Sequence, residues 1–205
     1  MLFTDRHDAG RQLARALERY HSASDVVVLG VPRGGVVVAA EVAGALGLPI
    51  DIVVTRKLGA PGNPEYAVAA VDGDGQVLAG FVGALPEGYL ERSAAAEHAE
   101  IERRITAYRA GRAALDLAGK TALVVDDGIA TGLTLSAAVA YLRRHGVKRV
   151  VIAAPVAAPP SAARLRREAD EVVTLAEPAG FSAVGQFYER FEQTSDAEVH
   201  ALLQR

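Results

Sequence analysis

The stretch VVDDGIATGLT at Val124–Thr134 decides the fold of this chain. A buried apolar run leads into Asp126 and Asp127, and glycines at 128 and 132 mark a short turn that opens a helix. Unpaired amides at such a turn, together with the helix dipole, bind a phosphate monoester. Two adjacent carboxylates can accept hydrogen bonds from vicinal hydroxyls or hold a magnesium ion through water. The segment therefore predicts a ribose 5-phosphate site.

Further apolar, valine-rich runs of the same kind occur along the chain and alternate with helical patterns. Such runs are typical of strands buried on both faces, so we expect an α/β fold with a doubly wound, mainly parallel sheet flanked by helices. Ligands bind such sheets at the carboxyl ends of the strands, which places the chemistry just after Leu29, Val54 and Val125. The other strand runs are Val26–Gly35, Pro49–Lys57, Arg149–Pro155 and Glu171–Ala176, and an amphipathic helix is expected at Asp5–Tyr20.

Length and composition set the class of protein. The 205 residues suit a single domain, 1–205. We expect a mostly solvated helix at 88–111, which is either an exposed insertion or an oligomer contact, and a C-terminal hood or tail at 177–205. The net charge of −3 gives no bulk attraction to nucleic acid or to a membrane, and the lack of cysteine excludes a thiolate metal site or a thiol nucleophile. The first residues lack a signal-peptide core, so a cytoplasmic location is expected.

Val124–Thr134 resembles the phosphoribosyl pyrophosphate signature of type I phosphoribosyltransferases: four apolar residues, two acids, three variable residues, then Thr-Gly-x-Thr. The resemblance implies that Asp126 and Asp127 contact the ribose hydroxyls and the water shell of Mg²⁺. The chain departs from the hypoxanthine-guanine members at Ala130, where they carry an Asp that handles the base proton, so such a substrate is disfavoured. The residues implied to hold the 5-phosphate are Gly128, Ile129, Ala130, Thr131, Gly132, Leu133 and Thr134.

The turn VPRGG at Val31–Gly35 follows the first predicted strand and offers a second set of amides. It resembles the family's pyrophosphate loop, which often contains a non-proline cis peptide. The resemblance implies that Arg33, Gly34 and Gly35 contact the departing pyrophosphate. Whether the turn contains a cis peptide stays open from the sequence.

The segment TRKLGAPGNPEY at Thr55–Tyr66 holds two glycines, two prolines and an asparagine, which predicts irregular structure. It resembles the family's flexible loop, which closes over the site, and it would bring Arg56 and Lys57 to the pyrophosphate. Glu65 resembles a residue near the base in adenine members, but an anchoring role within the loop is equally compatible.

The tail FSAVGQFYERF at Phe181–Phe191 is rich in aromatic residues. Type I phosphoribosyltransferases cover the base with a variable hood, and Tyr188 or Phe187 could stack on the ring there, although such spacing also suits packing of a tail onto the core. Together the motifs resemble a little-characterised bacterial subgroup of phosphoribosyltransferases.

Three functions stay open at this point. The preferred one is a magnesium-dependent transferase that moves the 5-phosphoribosyl group of phosphoribosyl pyrophosphate to a nitrogen of a nucleobase or related acceptor, and a homodimer is compatible with it. A catalytically silent sensor of the same donor is the first alternative. An unrelated nucleotide-phosphate-binding α/β protein is the second.

Overall fold

A five-stranded parallel sheet forms the centre of the protein. The computed structural model describes residues 2–80 and 85–204, without the side chains of Pro64 and Glu65. Its strands are β1 Val26–Gly30, β2 Ile50–Ile52, β6 Thr121–Val125, β7 Arg149–Val156 and β8 Glu171–Ala176. Their order in the sheet is β2-β1-β6-β7-β8, and every pair is parallel. The predicted α/β class and all five predicted strand runs are confirmed.

Helices cover both faces of this sheet. One face packs against α1 (Arg6–Ala16) and α2 (Gly34–Leu46), and the other packs against α4 (Leu133–Arg144) and α5 (Pro159–Leu165). The strand residues alternate between these two cores: Val124 faces α4 and α5, whereas Leu123 and Val125 face α1 and α2. This double cover explains why the strands read as continuous apolar runs. The helices are α1 Arg6–Ala16, α2 Gly34–Leu46, α3 Tyr89–Arg109, α4 Leu133–Arg144, α5 Pro159–Leu165 and α6 Asp196–Leu203, with 3₁₀ turns at Glu18–Tyr20 and Val184–Phe187.

The prediction that Thr55–Tyr66 is irregular is wrong. Most of the segment belongs to an antiparallel hairpin that consists of β3 Arg56–Ala60 and β4 Asn63–Val71. On its other edge, β4 pairs with β5 Val77–Ala79, also antiparallel. Pro61 and Gly62 form the two-residue turn between the strands, and Gly62 has φ +76°. Proline followed by a left-handed glycine is the pattern of a type II turn, so the breaker residues mark the hairpin tip and not a disordered loop.

The helix predicted at 88–111 is present as α3, but the prediction that it is mostly solvated needs correction. Ala94, Ile101 and Tyr108 recur every seven residues and are buried against a core that includes α6. The many charged residues of α3 lie on its other faces. Because the prediction was based on these charges, it missed the apolar stripe. Among the described residues, no helix combines the length and apolarity needed to cross a membrane.

Candidate functional site

The site begins where β1 and β6 end side by side, because Gly30 pairs with Val125 in the parallel ladder. The amide of Val31 extends this ladder by donating to the carbonyl of Val125 at 2.9 Å. The two predicted loops, 31–35 and 126–134, therefore leave the same sheet edge next to each other. This confirms that they lie at the carboxyl ends of the strands.

The two glycines of the first turn are required by this close approach. A Cβ atom added to Gly34 would lie 2.0 Å from Oδ2 of Asp127, and one added to Gly35 would lie 2.8 Å from the carbonyl oxygen of Val125. Real Cβ atoms do not approach other atoms so closely, so only glycine lets the turn contact the acidic pair. The peptide bond between Pro32 and Arg33 in this turn is cis.

The turn after Asp127 encloses a small cavity of about 140 Å³. Gly132, with φ +70°, caps the N-terminus of α4, so the first amides of this helix face the turn. Lys57, which the sequence analysis assigned to the pyrophosphate, lines this cavity of the 128–134 turn. The cavity is lined by Lys57, Asp126 and residues 128–135.

The residue that precedes the hairpin is hydrogen-bonded to the first turn of α4. The hydroxyl of Thr55 donates to the carbonyl oxygen of Thr134 at 3.1 Å. Because Lys57 follows Thr55 by two residues, this bond fixes the start of β3 beside the cavity. Arg56 lies elsewhere, since its Nε donates to Oε2 of Glu97 on α3 at 2.6 Å.

The acidic pair is only partly exposed, and this has electrostatic consequences. Burial raises the pKa of Asp126 well above its usual value, and the neighbouring charge of Asp127 raises it further. Burial also raises the pKa of Asp127, while Arg6 opposes that rise. The amide of Asp127 donates to Oδ1 of Asp126 at 2.8 Å. Both carboxylates therefore gain from a cation or from hydroxyl donors that replace lost water.

Arg6 is a site residue that the sequence analysis did not identify. Its Nε donates to Oδ2 of Asp127 at 2.7 Å, and its Nη1 donates to the carbonyl oxygen of Glu192 at 2.7 Å. The guanidinium also lies 3.9 Å from the centre of the Phe191 ring. No local signal could have found it, because its partners lie 121 and 186 residues away in the chain.

Arg33 pairs with a carboxylate of α6. Its Nη1 lies 3.5 Å from Oδ1 of Asp196, which also accepts a hydrogen bond from the Tyr108 hydroxyl at 2.8 Å. The hydrogen bond from Tyr108, followed by those from nearby arginines, lowers the pKa of Asp196. The structure thus places Arg33 at the start of α2, paired with the N-terminal turn of α6.

The tail supplies a cover over the turn after Asp127. Val184 lies so close to Gly128 that an added Cβ would be 2.4 Å from its Cγ1. Phe187 and Tyr188 are buried in a cluster with Phe3, and the Tyr188 hydroxyl donates to the backbone carbonyl of Asp127 at 2.5 Å. Burial also raises the pKa of Tyr188. The rings of Phe187 and Tyr188 therefore pack the tail onto the core, which is the second of the two arrangements that the sequence left open. The side chain of Glu65 lies outside the described residues.

The two ends of the chain build this cover together. The amide of Phe3 donates to the carbonyl of Phe187, and the amide of Glu189 donates back to the carbonyl of Phe3, each at 2.8 Å. Arg190 adds an ion pair with Asp5 at 2.6 Å. We call these paired segments, 3–6 and 187–192, the terminal hood.

The acidic pair suits a metal that arrives with its ligand. Within residues 2–80 and 85–204, no group of three or more His, Asp or Glu side chains could hold a metal. Magnesium, however, is commonly bound by one or two carboxylates, with waters and substrate phosphates completing the shell. Asp126 and Asp127 offer that number of carboxylates, next to turns whose amides suit phosphates.

Comparisons with known proteins agree with this geometry. The crystal structure of TT1426 from Thermus thermophilus has 43% sequence identity and a TM-score of 0.83, covering 99% of this chain and 98% of that chain. Two curated proteins of Mycobacterium tuberculosis, from strains CDC 1551 and H37Rv, are each named "Putative phosphoribosyl transferase" and are 49% identical over all of this chain. The chain spans about half the length of these curated relatives, 47%. The family model described as "Phosphoribosyl transferase domain" matches residues 3–188, so the chain belongs to the phosphoribosyl transferase domain family.

Proposed function

We propose that this chain transfers the 5-phosphoribosyl group of phosphoribosyl pyrophosphate to a nitrogen of a nucleobase or related acceptor and releases pyrophosphate. The observation that carries the proposal is that two glycine-containing turns and an acidic pair meet at one sheet edge. The contact between Gly34 and Asp127 joins the pyrophosphate half of the donor site to the ribose half. Membership of the family supports the general class of reaction.

Each part of the site has a role in the proposal. Asp126 and Asp127 accept hydrogen bonds from the ribose hydroxyls, and the amides of residues 128–134 bind the 5-phosphate. Lys57 lies at the cavity and carries positive charge toward the phosphates. Binding by fixed amides and cations costs little reorganisation as charge develops, which is how such a site would lower the barrier.

Arg33 and Arg56 are assigned to the departing pyrophosphate. In the structure they are paired with Asp196 and Glu97, respectively, and both pairs are partly exposed. Partly exposed ion pairs contribute little free energy, so a pyrophosphate anion can replace the carboxylates at small cost. The two arginines then neutralise charge on the leaving group.

We propose Mg²⁺ as the metal that accompanies the donor, held by Asp126 and Asp127 through water. When bound, it would offset negative charge on the pyrophosphate oxygens. The protein groups position the ribose and exclude water from the reacting carbon, which matters because the transition state resembles an oxocarbenium ion.

Two observations bear on the acceptor: one on the group that could contact its base, and one on the surface where it could bind. Ala130 offers no group that could exchange a proton with a base, and its side chain is exposed at the turn. Phe187 and Tyr188 are buried, so the exposed part of the terminal hood, which includes Phe191, is the surface that we assign to the acceptor. Phe191 is 37% exposed and already contacts Arg6. A homodimer and a cytoplasmic location stay predictions from the sequence.

The proposal is tested by magnesium-dependent release of pyrophosphate from the donor, with purines, pyrimidines and related ring compounds offered one at a time. Release with one acceptor class is the expected result, and the Asp126→Asn/Asp127→Asn variant is the matched control that should show none. Donor binding without release for any acceptor would contradict a transferase and favour the sensor alternative.

A further inference from the structure

In the part of the chain that the structure describes, the backbone of the turn that forms the cavity is bonded to the neighbouring strand only through its first residues. The amide of Ile129 donates to the carbonyl of Val156 at 2.9 Å, and the amide of Ala158 donates to the carbonyl of Ile129 at 2.8 Å. These two bonds continue the ladder between β6 and β7 by one step. Beyond this step, β7 has ended and α5 begins, so the backbone offers no further partners.

Two side chains of α5 replace the missing ladder. The hydroxyl of Ser161 donates to the carbonyl of Ala130 at 2.6 Å, and Nη2 of Arg164 donates to the carbonyl of Thr131 at 2.6 Å. The two donors are three residues apart, so they lie on one face of the helix. Oε1 of Glu168 lies 3.4 Å from Nε of Arg164 and pairs with the guanidinium.

These bonds determine where the following amides point. The only cis peptide among the described residues is Pro32–Arg33, so the peptides after Ala130 and Thr131 are trans. In a planar trans peptide the N–H points opposite to the C=O. Carbonyls turned toward α5 therefore direct the amides of Thr131 and Gly132 away from α5, into the cavity. Within the described chain, neither amide has a protein acceptor.

We propose that Ser161 and Arg164 are positioning residues, which orient the amides of Thr131 and Gly132 toward the 5-phosphate of the donor. The inference rests on the proposed function, since it assigns that phosphate to this cavity. The side chains of Ala130 and Thr131 are exposed and provide no anchor of their own. Without the two α5 donors, these peptides would be free to rotate, and the phosphate would have to order them on binding.

Calorimetry on Ser161→Ala and Arg164→Ala tests the inference, with phosphoribosyl pyrophosphate, ribose 5-phosphate and magnesium pyrophosphate as separate ligands. Each variant should bind the first two ligands about five- to tenfold more weakly, the size expected for one lost hydrogen bond. Pyrophosphate affinity should not change, because that ligand binds at the other turn. Ser161→Thr keeps a hydroxyl donor and should restore the affinity for ribose 5-phosphate.

Arg167→Ala is the matched control, because Arg167 follows α5 and, among the described residues, its side chain bonds only to the carbonyl of Ala163. It should bind all three ligands as the wild type does. Unchanged ribose 5-phosphate affinity in Ser161→Ala and Arg164→Ala would overturn the inference alone, and so would equal weakening of all ligands. A wild-type protein that binds neither phosphoribosyl pyrophosphate nor ribose 5-phosphate would overturn the proposed function and the inference with it.

Discussion

The turn that forms the cavity and the hood that covers this turn are built in opposite ways. The turn at 126–134 is one continuous piece of chain, fixed between β6 and α4 and bonded to its neighbour β7. The terminal hood joins segments from both ends of the chain, and the bond from Arg6 to Glu192 spans 186 positions. The turn therefore depends mainly on residues that are close in the sequence, whereas the hood depends on contacts between distant segments. We therefore expect substitutions to separate them, so that the hood governs stability and the turn governs donor binding.

The largest expected effect comes from the hood. Phe3 is fully buried against Tyr188, and Phe3→Ala should lower the free energy of unfolding by about 3–5 kcal/mol. Denaturant unfolding measures this loss. At low temperature, where the variant stays folded, donor affinity should change less than about threefold, because the turn is held by bonds that do not involve Phe3. Proportionate loss of affinity would show that hood and turn form a single unit.

The next effect probes the contact between the two turns. Gly34→Ala would force a methyl group into Asp127, so donor affinity should fall at least about tenfold. Gly44→Ala on the same helix is the matched control, because a Cβ there meets nothing within 4 Å. This control should keep its affinity and gain about 0.5–1 kcal/mol in stability. Equal affinities in the two variants would refute the close approach.

A smaller effect should appear in stability as a function of pH. Since burial and Asp127 raise the pKa of Asp126, its charged form destabilises the fold, and Asp126→Asn should be more stable at neutral pH by on the order of 1 kcal/mol. The wild-type carboxyl becomes protonated in the folded state as the pH falls through its raised pKa. The advantage of the variant should therefore shrink and vanish below the ordinary value of 3.8. Urea unfolding without divalent cations at several pH values measures it, and an advantage that grows toward low pH would contradict the assignment.

The smallest effect concerns the hydrogen bond from the Tyr188 hydroxyl, which links hood and turn in addition to the bond from Arg6 to Asp127. Tyr188→Phe removes the donor to the Asp127 carbonyl and should cost about 0.5–1.5 kcal/mol of stability. Donor affinity should change less than about threefold, because the ring and its packing remain. Thermal unfolding and calorimetry measure the two quantities. A loss of donor affinity of more than about tenfold would show that Tyr188 takes part in donor binding, which would contradict its assignment to the hood alone.

The same contrast explains what the sequence could predict. The five parallel strands, the acidic pair and the glycine turns were all predictable, since each depends on a short stretch with its own periodicity or turn residues. The hairpin at Arg56–Val71 was missed because Gly59, Pro61 and Gly62 signal both loops and tight turns, and only the strand register distinguishes the two.

The contacts that join distant segments could not be predicted. Arg6 looks like any charged residue of an amphipathic helix, and its contact with Asp127 depends on how α1 packs on the sheet. The pairs of Arg33 with Asp196 and Arg56 with Glu97 likewise need the positions of α6 and α3. The buried stripe of α3 was hidden because its three residues are scattered among charges.

The central claim is that Asp126 and Asp127 bind the ribose of phosphoribosyl pyrophosphate. Calorimetric titration of that compound with magnesium, into the wild type and into folded Asp126→Asn/Asp127→Asn, tests it most directly. The account predicts saturable binding by the wild type and a loss of at least about a hundredfold in the double variant, in keeping with several charge-assisted hydrogen bonds. Equal affinity in the two proteins, or no binding by the wild type, would contradict it.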